Sequence, residues 1–204
     1  MTDCTGDSEL RRGAMAAPGK GMEAGDTHRL PGAMKQKAIF LDRDGTLNEM
    51  VYDETHGLLD SARRPEQVRL APGAADFMKK VRKLGYVLIV VTNQPGIAKG
   101  TLTPAELAIV NERLALDLAA RGAVWDALYH CPHHPKGGPK GDKTCIRDCE
   151  CRKPKPGLLL QAAREHNLDL SRSWMIGDGL VDVQAGKAAG CRTVLVGRIT
   201  PAHI

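Results

Sequence analysis

Two aspartates separated by one residue lie in the run Asp42-Arg43-Asp44-Gly45-Thr46, directly after the apolar residues 38–41. A carboxylate can attack phosphorus and form an acyl phosphate, which divides the hydrolysis of a phosphate ester into two displacements. A second carboxylate nearby can protonate the leaving alkoxide and later deprotonate water. The pair therefore predicts phosphoryl chemistry, with one aspartate as the nucleophile and the other as acid and base.

Two carboxylates that face a phosphate repel it, so a site of this kind needs a cation. Magnesium takes oxygen ligands and keeps several waters, which fits a few carboxylates and a substrate phosphate. Asp178 could complete such a metal site, Thr92 could hydrogen-bond a phosphoryl oxygen, and Lys153 could offset charge on the transferring group. An Asp-x-Asp pair alone would favour a surface turn. Four matched elements in order, each at a strand end or helix start, favour the catalytic interpretation.

A second constellation contains thiols and an imidazole. Cys131, His133, Cys149 and Cys151 supply three thiols and one imidazole at spacings that suit a tetrahedral structural zinc. The intervening sequence is rich in glycine and lysine and cannot bury a core, so a metal would explain how it stays ordered. Hereafter, residues 131–151 are called the zinc loop. The alternatives are unliganded cysteines, or substitution by a neighbouring ligand. Cys145 and His134 are the candidate substitutes, and Cys4 and Cys191 are expected to be bystanders.

Short apolar runs alternate with helical patterns from Lys37 onward. This alternation predicts an α/β fold, a Rossmann-like parallel sheet with helices on both faces, whose ligands bind beyond the carboxyl ends of the strands. The connections leave no room for a separate cap domain, so the site should be open and closed only by loops such as residues 48–59. The predicted strands are residues 38–41, 86–91, 127–131, 174–176 and 193–196, and the predicted helices are 72–84, 103–121, 155–166 and 181–189.

Composition excludes several classes of protein. The 204 residues carry a net charge of +5, with 42% hydrophobic but only 3% aromatic residues. The charge is spread along the chain, which suits an anionic small molecule better than a nucleic acid. We find no membrane span and no secretory signal, and therefore expect a cytoplasmic protein. Residues 1–33 lack apolar periodicity and are expected to be a disordered extension ahead of a phosphatase domain at 34–204, and Met34 is a candidate start site.

The four chemical motifs resemble those of the haloacid dehalogenase superfamily. The resemblance covers roughly residues 37–197 and implies that Asp42 is the nucleophile and Asp44 the acid and base. It further implies that Thr92 binds phosphate, that Lys153 is the lysine of the third motif, and that magnesium is held by the side chains of Asp42 and Asp178 and the main-chain carbonyl of Asp44. Asp182 also fits the fourth motif, where a solvated helix start and a supporting role are equally acceptable.

Within that superfamily, the zinc loop and the run Thr92-Asn93-Gln94-Pro95-Gly96 resemble the D,D-heptose 1,7-bisphosphate phosphatases. These enzymes remove the 7-phosphate and leave heptose 1-phosphate, a precursor of lipopolysaccharide or other surface glycans. By the resemblance Arg152 recognises the substrate, and a planar guanidinium suits the unreacted phosphate of a bisphosphate. The resemblance implies that the catalytic set is Asp42, Asp44, Thr92, Arg152 and Lys153, and that the substrate contacts are Asp42, Arg43, Asp44, Asp53, Thr92, Asn93, Gln94, Arg152 and Lys153.

Two features depart from that family. Gly179 follows Asp178 where a substrate-binding lysine is common, which shifts that duty to Lys99 or Lys155. The zinc loop is also slightly longer than the family pattern. Both departures concern the identity of the substrate rather than the type of reaction.

Three other functions remain as alternatives. A histidinol-phosphate phosphatase would use the same chemistry. A response-regulator receiver also combines paired acids, Thr and Lys, but its phospho-acceptor lies on a later strand than the acid pair, whereas Asp42 lies on the first strand here. A nucleic-acid-binding zinc protein is disfavoured because the cluster lacks a recognition-helix pattern and aromatic stacking residues. We therefore expect a monomeric enzyme that acts on a sugar phosphate.

Overall fold

The computed structural model describes residues 34–54 and 57–197. The expectations for residues 1–33, disorder and a start at Met34, lie outside the described residues. A four-residue strand, β1 (Ala38–Leu41), is buried throughout and carries the Asp-x-Asp pair at its end. Its side chains alternate between two cores, because successive residues of a strand point to opposite faces of the sheet.

A small hairpin follows the first strand. Strands β2 (Val51–Asp53) and β3 (Leu58–Asp60) pair antiparallel and form a separate two-stranded sheet. The sequence predicted a loop over residues 48–59, and the two short strands within and beside it were not predicted. Three-residue strands are too short to show the alternation that identifies a strand in sequence. The described residues between β1 and the next sheet strand contain this hairpin, one turn of 3-10 helix and α1 (Ala74–Lys83), and no cap domain.

The remaining elements follow the predicted order, except that the short helix at Gly96–Lys99 was not predicted. They are β4 (Val87–Asn93), α2 (Gly96–Lys99), α3 (Pro104–Ala119), β5 (Ala127–Cys131), α4 (Gly157–Glu165), β6 (Trp174–Gly177), α5 (Leu180–Ala188) and β7 (Arg192–Leu195). Thr103 caps α3: its hydroxyl accepts from Glu106 N at 3.2 Å and its N donates to the Glu106 carboxylate at 2.7 Å, a capping box with Pro104 following. The predicted second strand extends further than expected, because Thr92 and Asn93 still pair with β5.

The main sheet has five parallel strands in the order β5-β4-β1-β6-β7, which confirms the predicted fold class. One core contains Phe40 and packs α4 and α5 on one face. The other contains Leu41 and packs α1 and α3 on the opposite face. Because all strands are parallel, their carboxyl ends meet at one edge, and the site is built there.

Candidate active site

The central strands β4, β1 and β6 deliver the reactive side chains to one edge of the sheet. Asp42 follows β1, Thr92 is the next-to-last residue of β4, and Asp178 follows β6 directly. These strands are neighbours in the sheet, and Asp42 N donates to Ile176 O at 2.9 Å, which continues the pairing to the first catalytic residue. The sequence placed these residues at separate strand ends, and the strand order brings them together.

Lys153 contacts the proposed nucleophile. Its Nζ lies 2.8 Å from Asp42 Oδ1 and 2.6 Å from Asp182 Oδ1, and it donates to Val91 O at 2.8 Å. Burial would lower the pKa of Lys153, but Asp42 and Asp182 outweigh it and hold that pKa above its ordinary value. A buried ammonium is therefore fixed beside Asp42, where it can offset charge on a phosphoryl group.

The carboxyl of Asp42 is difficult to ionise without a further cation. Burial is the largest influence and raises its pKa to about 7, aided by the charges of Asp182 and Asp44 and opposed by Lys153. Asp178 is exposed, yet partial desolvation and the charge of Asp182 raise its pKa too. An additional positive charge nearby would stabilise the ionised forms of both carboxyl groups.

The acidic side chains lie close enough to share a metal ion. One oxygen each from Asp42, Asp178 and Asp182 lies within 4.8 Å of the others. Gly45 makes the approach feasible: its φ is +83°, and a Cβ there would lie 2.0 Å from Asp178 Oδ2. An all-oxygen donor set fits a divalent cation such as magnesium, and the raised pKa values of Asp42 and Asp178 agree with a site that binds positive charge.

Asp182 is 1% exposed, so the solvated alternative for this residue was wrong. Its Oδ2 accepts from Gly179 N at 3.0 Å while Oδ1 faces Lys153. Asp182 therefore caps the first turn of α5 and orients the lysine at the same time.

A buried network surrounds the proposed acid and base. Arg43 has no exposed surface, and its Nη2 lies 2.8 Å from Asp44 Oδ2 while its Nη1 donates to Asn111 Oδ1 at 2.7 Å. Asn48 and Gln94 also donate to Asp44, at 3.0 Å and 2.8 Å. Burial alone would raise the pKa of Asp44, but Arg43 and these hydrogen bonds hold it below its ordinary value.

Three predicted substrate contacts have side chains committed to protein partners. The guanidinium of Arg43 is buried behind Asp44. Asn93 exchanges hydrogen bonds with the main chain of Lys153, donating to its O at 3.0 Å and accepting from its N at 3.0 Å. Gln94 donates to Thr92 Oγ1 at 2.9 Å. These side chains hold the site in position, so a contact between these residues and the substrate would have to come from their main-chain atoms. The side chain of Asp53 lies outside the described part of the structure.

The predicted zinc ligands converge on one point. His133 Nδ1 lies 3.2 Å from Cys151 Sγ, and the three sulfurs lie 3.3–3.5 Å from one another. A zinc with bonds of about 2.3 Å would place tetrahedral ligands about 3.7 Å apart, so the cluster approximates such a site. Burial and the charge of Arg147 lower the pKa of His133, which keeps the ring neutral as a metal ligand must be. Cys145 and His134 are not part of the cluster.

Comparison with known proteins agrees with this geometry. Residues 150–201 match a family model described as "HAD-hyrolase-like". The chain is 43% identical over 162 residues to the D-glycero-beta-D-manno-heptose-1,7-bisphosphate 7-phosphatase of Pasteurella multocida, covering 79% of this chain and 82% of that protein. The chain belongs to this family of haloacid dehalogenase-like phosphatases.

Other family members extend the comparison. The protein of the same name from Escherichia coli K12 is 40% identical over 168 residues, 80% of this chain and 82% of that protein. The D,D-heptose 1,7-bisphosphate phosphatase of B. bronchiseptica, solved with magnesium and phosphate, superposes with a TM-score of 0.64 at 32% identity, covering 78% of this chain and 79% of that one. This chain therefore shares its fold with a solved member of the family.

Sequence reasoning missed two members of this phosphatase site, Asn48 and Asn111. Asn48 is 1% exposed and contacts Asp44 after a tight turn. Asn111 lies on α3 one position after the buried Val110, so a polar residue beside the apolar stripe of the helix was the available indication.

Among the described residues, no helix is long and apolar enough to span a lipid bilayer.

Proposed function

We propose that this phosphatase removes the 7-phosphate of D-glycero-D-manno-heptose 1,7-bisphosphate through a phospho-aspartate on Asp42. The observation that carries the proposal is the contact between Asp42 and the buried ammonium of Lys153, beside Thr92 on the adjoining strand. The names of the relatives support the substrate. They also favour the beta anomer, which the sequence alone left open.

In the first step, a carboxylate oxygen of Asp42 forms a bond to the 7-phosphorus as the bond to the sugar oxygen breaks. Thr92 hydrogen-bonds a phosphoryl oxygen and Lys153 offsets its charge. Asp44 takes up a proton when the anionic phosphate binds beside it, because a nearby like charge disfavours the ionised carboxylate, and it delivers that proton to the leaving alkoxide. In the second step, Asp44 takes a proton from water, whose oxygen attacks the same phosphorus. Inorganic phosphate leaves and the Asp42 carboxylate is restored.

Two metals fit the described residues. Magnesium would be held by the side chains of Asp42 and Asp178 and the main-chain carbonyl of Asp44, and when bound it supplies positive charge that favours ionised Asp42. We propose zinc at Cys131, His133, Cys149 and Cys151, as a structural ion that holds the zinc loop. Arg152, whose Nη1 donates to His133 O at 3.3 Å, would thereby be kept at the site, next to Lys153.

We expect this enzyme to act in the cytoplasm as a monomer, in the synthesis of an activated heptose for lipopolysaccharide or another surface glycan. The family membership and the sugar bisphosphate substrate support this placement. Gly179 supplies no cation beside Asp178, so recognition depends on other basic side chains.

Steady-state kinetics on both anomers of the heptose bisphosphate and on histidinol phosphate tests the proposal. We expect the highest kcat/KM for the beta bisphosphate, and no turnover by Asp42→Asn even though its thermal unfolding remains cooperative. A preference for histidinol phosphate would replace the substrate proposed here. Turnover by Asp42→Asn would remove Asp42 as the nucleophile.

A further inference from the structure

The side chain of Gln94 joins two groups that the proposed mechanism uses for different tasks. Its Nε2 donates to Asp44 Oδ2 at 2.8 Å and to Thr92 Oγ1 at 2.9 Å. All three residues are buried, so these partners are not readily replaced by bulk water. The amide therefore lies between the proposed acid and base and the proposed phosphate-binding hydroxyl, and both of its hydrogens are used.

Gln94 projects from a main chain that the sheet holds in place. It follows β4 directly, and its N donates to Cys131 O at 2.7 Å. The last registered pair of these strands is Asn93 with Cys131, so this hydrogen bond continues the pairing of β4 with β5 past the end of the strand. The side chain of Gln94 consequently starts from a position that is set by strand pairing.

The charge of Asp44 determines which end of the Gln94 amide faces it. Arg43 Nη2 lies 2.8 Å from Asp44 Oδ2, and this buried ion pair keeps the carboxylate ionised before phosphate binds. An ionised carboxylate only accepts hydrogen bonds, so the atom that Gln94 turns toward it must be the nitrogen and not the carbonyl oxygen. The second hydrogen of the same amide then points at Thr92 Oγ1.

The hydroxyl of Thr92 has one hydrogen to donate, and Gln94 does not accept it. A threonine hydroxyl combines one donor with two acceptor lone pairs, and Oγ1 uses a lone pair toward Gln94. No other hydrogen bond of this hydroxyl occurs within residues 34–54 and 57–197. A hydroxyl that accepts one hydrogen bond is polarised and donates more strongly in the next. Its hydrogen is therefore available for an anion at the carboxyl edge of the sheet.

We propose that Gln94 is a positioning residue that directs the hydroxyl hydrogen of Thr92 at a phosphoryl oxygen. The contacts run from Arg43 to Asp44, from Asp44 to Gln94 and from Gln94 to Thr92, so a buried charge pair sets the direction of a neutral hydroxyl. This inference rests on the role of Thr92 in the function proposed above, but it does not depend on which sugar carries the phosphate.

A double-mutant cycle on the binding of inorganic phosphate, measured by calorimetry in saturating magnesium, tests this direction. Gln94→Glu keeps the size of the side chain but turns an oxygen toward Thr92, and this oxygen accepts the hydroxyl hydrogen. We expect Gln94→Glu to raise the Kd of phosphate about tenfold more in a chain with Thr92 than in Thr92→Val. Repulsion between the new carboxyl and phosphate is common to both chains and cancels. Thr92→Ser, which keeps the hydroxyl, should preserve the full difference.

Gln94→Met provides a second variant that neither donates nor accepts. It should show a smaller difference of the same sign, because the hydroxyl loses its fixed direction without being turned away from phosphate. If Gln94→Glu does not unfold cooperatively, the cycle is judged on Gln94→Met. Gln161→Met is the matched control, because Gln161 on α4 also donates its amide to a carboxylate, Glu165 Oε1 at 2.9 Å, but takes no part in the contacts of the site. It should bind phosphate as wild type does.

Equal losses of phosphate affinity with and without the Thr92 hydroxyl would overturn the inference, since a merely structural role of Gln94 would weaken both chains alike. Wild-type phosphate affinity in Thr92→Val would also overturn it. The choice of inorganic phosphate separates these outcomes from the proposed function. If wild type does not hydrolyse heptose 1,7-bisphosphate, the proposed substrate fails, whereas the cycle still decides whether Gln94 directs the hydroxyl.

Discussion

At the scale of single residues, the buried Arg43 has an unusual position for a side chain next to the proposed nucleophile, Asp42. It is fully enclosed and directs its donors at Asp44 and Asn111 rather than at solvent. A buried guanidinium is tolerated because its charge is paired and its hydrogen bonds are satisfied. Arg43 thus acts through Asp44, whose orientation it determines.

Asn111→Ala should disturb catalysis from helix α3. Removing Asn111 Oδ1 leaves a donor of Arg43 buried without its partner, which should cost about 1–3 kcal/mol of unfolding free energy. We expect a several-fold fall in kcat with KM little changed, because Arg43 and Asp44 lose their fixed orientation. Glu112→Ala, at the exposed neighbouring position, should change neither stability nor kinetics.

Denaturant unfolding and steady-state kinetics measure both effects. Asn111→Asp retains an acceptor for Arg43, but its carboxylate competes with Asp44 for the guanidinium. It should therefore keep stability better than activity. An Asn111→Ala variant with wild-type kcat would show that α3 has no part in positioning Asp44.

The limits of prediction are also clearest at this scale. Asp42, Thr92 and Asp178 could be found because each is a polar residue at the end of an apolar strand. Asn111 could not, because its partner Arg43 is 68 residues away and only the packing of α3 on the sheet brings them together. The same reason explains why Arg43 was expected to contact the substrate: sequence spacing does not say which way a side chain points.

At the scale of elements, the zinc loop supports parts of the site that lie beyond the four residues proposed as zinc ligands. It packs on α2 through main-chain hydrogen bonds and leads directly into Arg152 and Lys153. It contains little secondary structure beyond one turn of 3-10 helix at Lys143–Cys145, so the proposed zinc would be the main source of its order. The long strands and helices around it were predictable from periodicity, whereas its docking on α2 depends on close backbone contacts.

Cys149→Ser should therefore loosen the loop and lower activity. We expect substoichiometric zinc by metal analysis and a fall in kcat/KM of about tenfold or more, because Arg152, Lys153 and α2 lose their support. Cys145→Ser is the matched control, since Cys145 lies in the same loop but outside the ligand cluster, and it should keep full zinc and full activity. Stoichiometric zinc with unchanged kinetics in Cys149→Ser would rule out the structural role of the metal.

At the scale of the whole molecule, parallel strand order collects acidic groups at one edge. Asp42, Asp178 and Asp182 are brought together by elements that are distant in sequence. Lys153 offsets part of their mutual repulsion, and the remainder opposes folding unless a further cation binds. The fold therefore stores a destabilising charge cluster that ligand binding relieves. Stability and metal binding should consequently be linked through pH.

The raised pKa of Asp42 sets the sign of this linkage. Its ordinary value is 3.8 and its value in the fold is about 7, so between these pH values the folded state keeps a proton that the unfolded chain has lost. Stability without magnesium should therefore fall as pH rises through this window and level off above pH 7. The raised pKa of Asp178 acts in the same direction. His130 has the opposite effect on stability. Burial lowers its pKa from 6.5 to about 4 in the folded state, so between these pH values the unfolded chain binds more protons and stability rises with pH. The pKa of Asp44 is lowered, so its contribution to stability does not change with pH once the pH is above its ordinary pKa of 3.8.

Differences between variants isolate Asp42 from these other groups. In magnesium-free buffer that leaves zinc in place, Asp42→Asn should gain stability, seen as a higher Tm, relative to wild type as pH is raised from about 5 to 8. The upper limit of this gain is about 3 kcal/mol, because about two pKa units of the shift lie above pH 5. Saturating magnesium should stabilise wild type increasingly over the same range, because the cation favours the ionised carboxyl, and should stabilise Asp42→Asn much less. If the Tm difference between Asp42→Asn and wild type is constant from pH 5 to 8, the strand edge does not impose the electrostatic cost that we infer from its packed carboxylates.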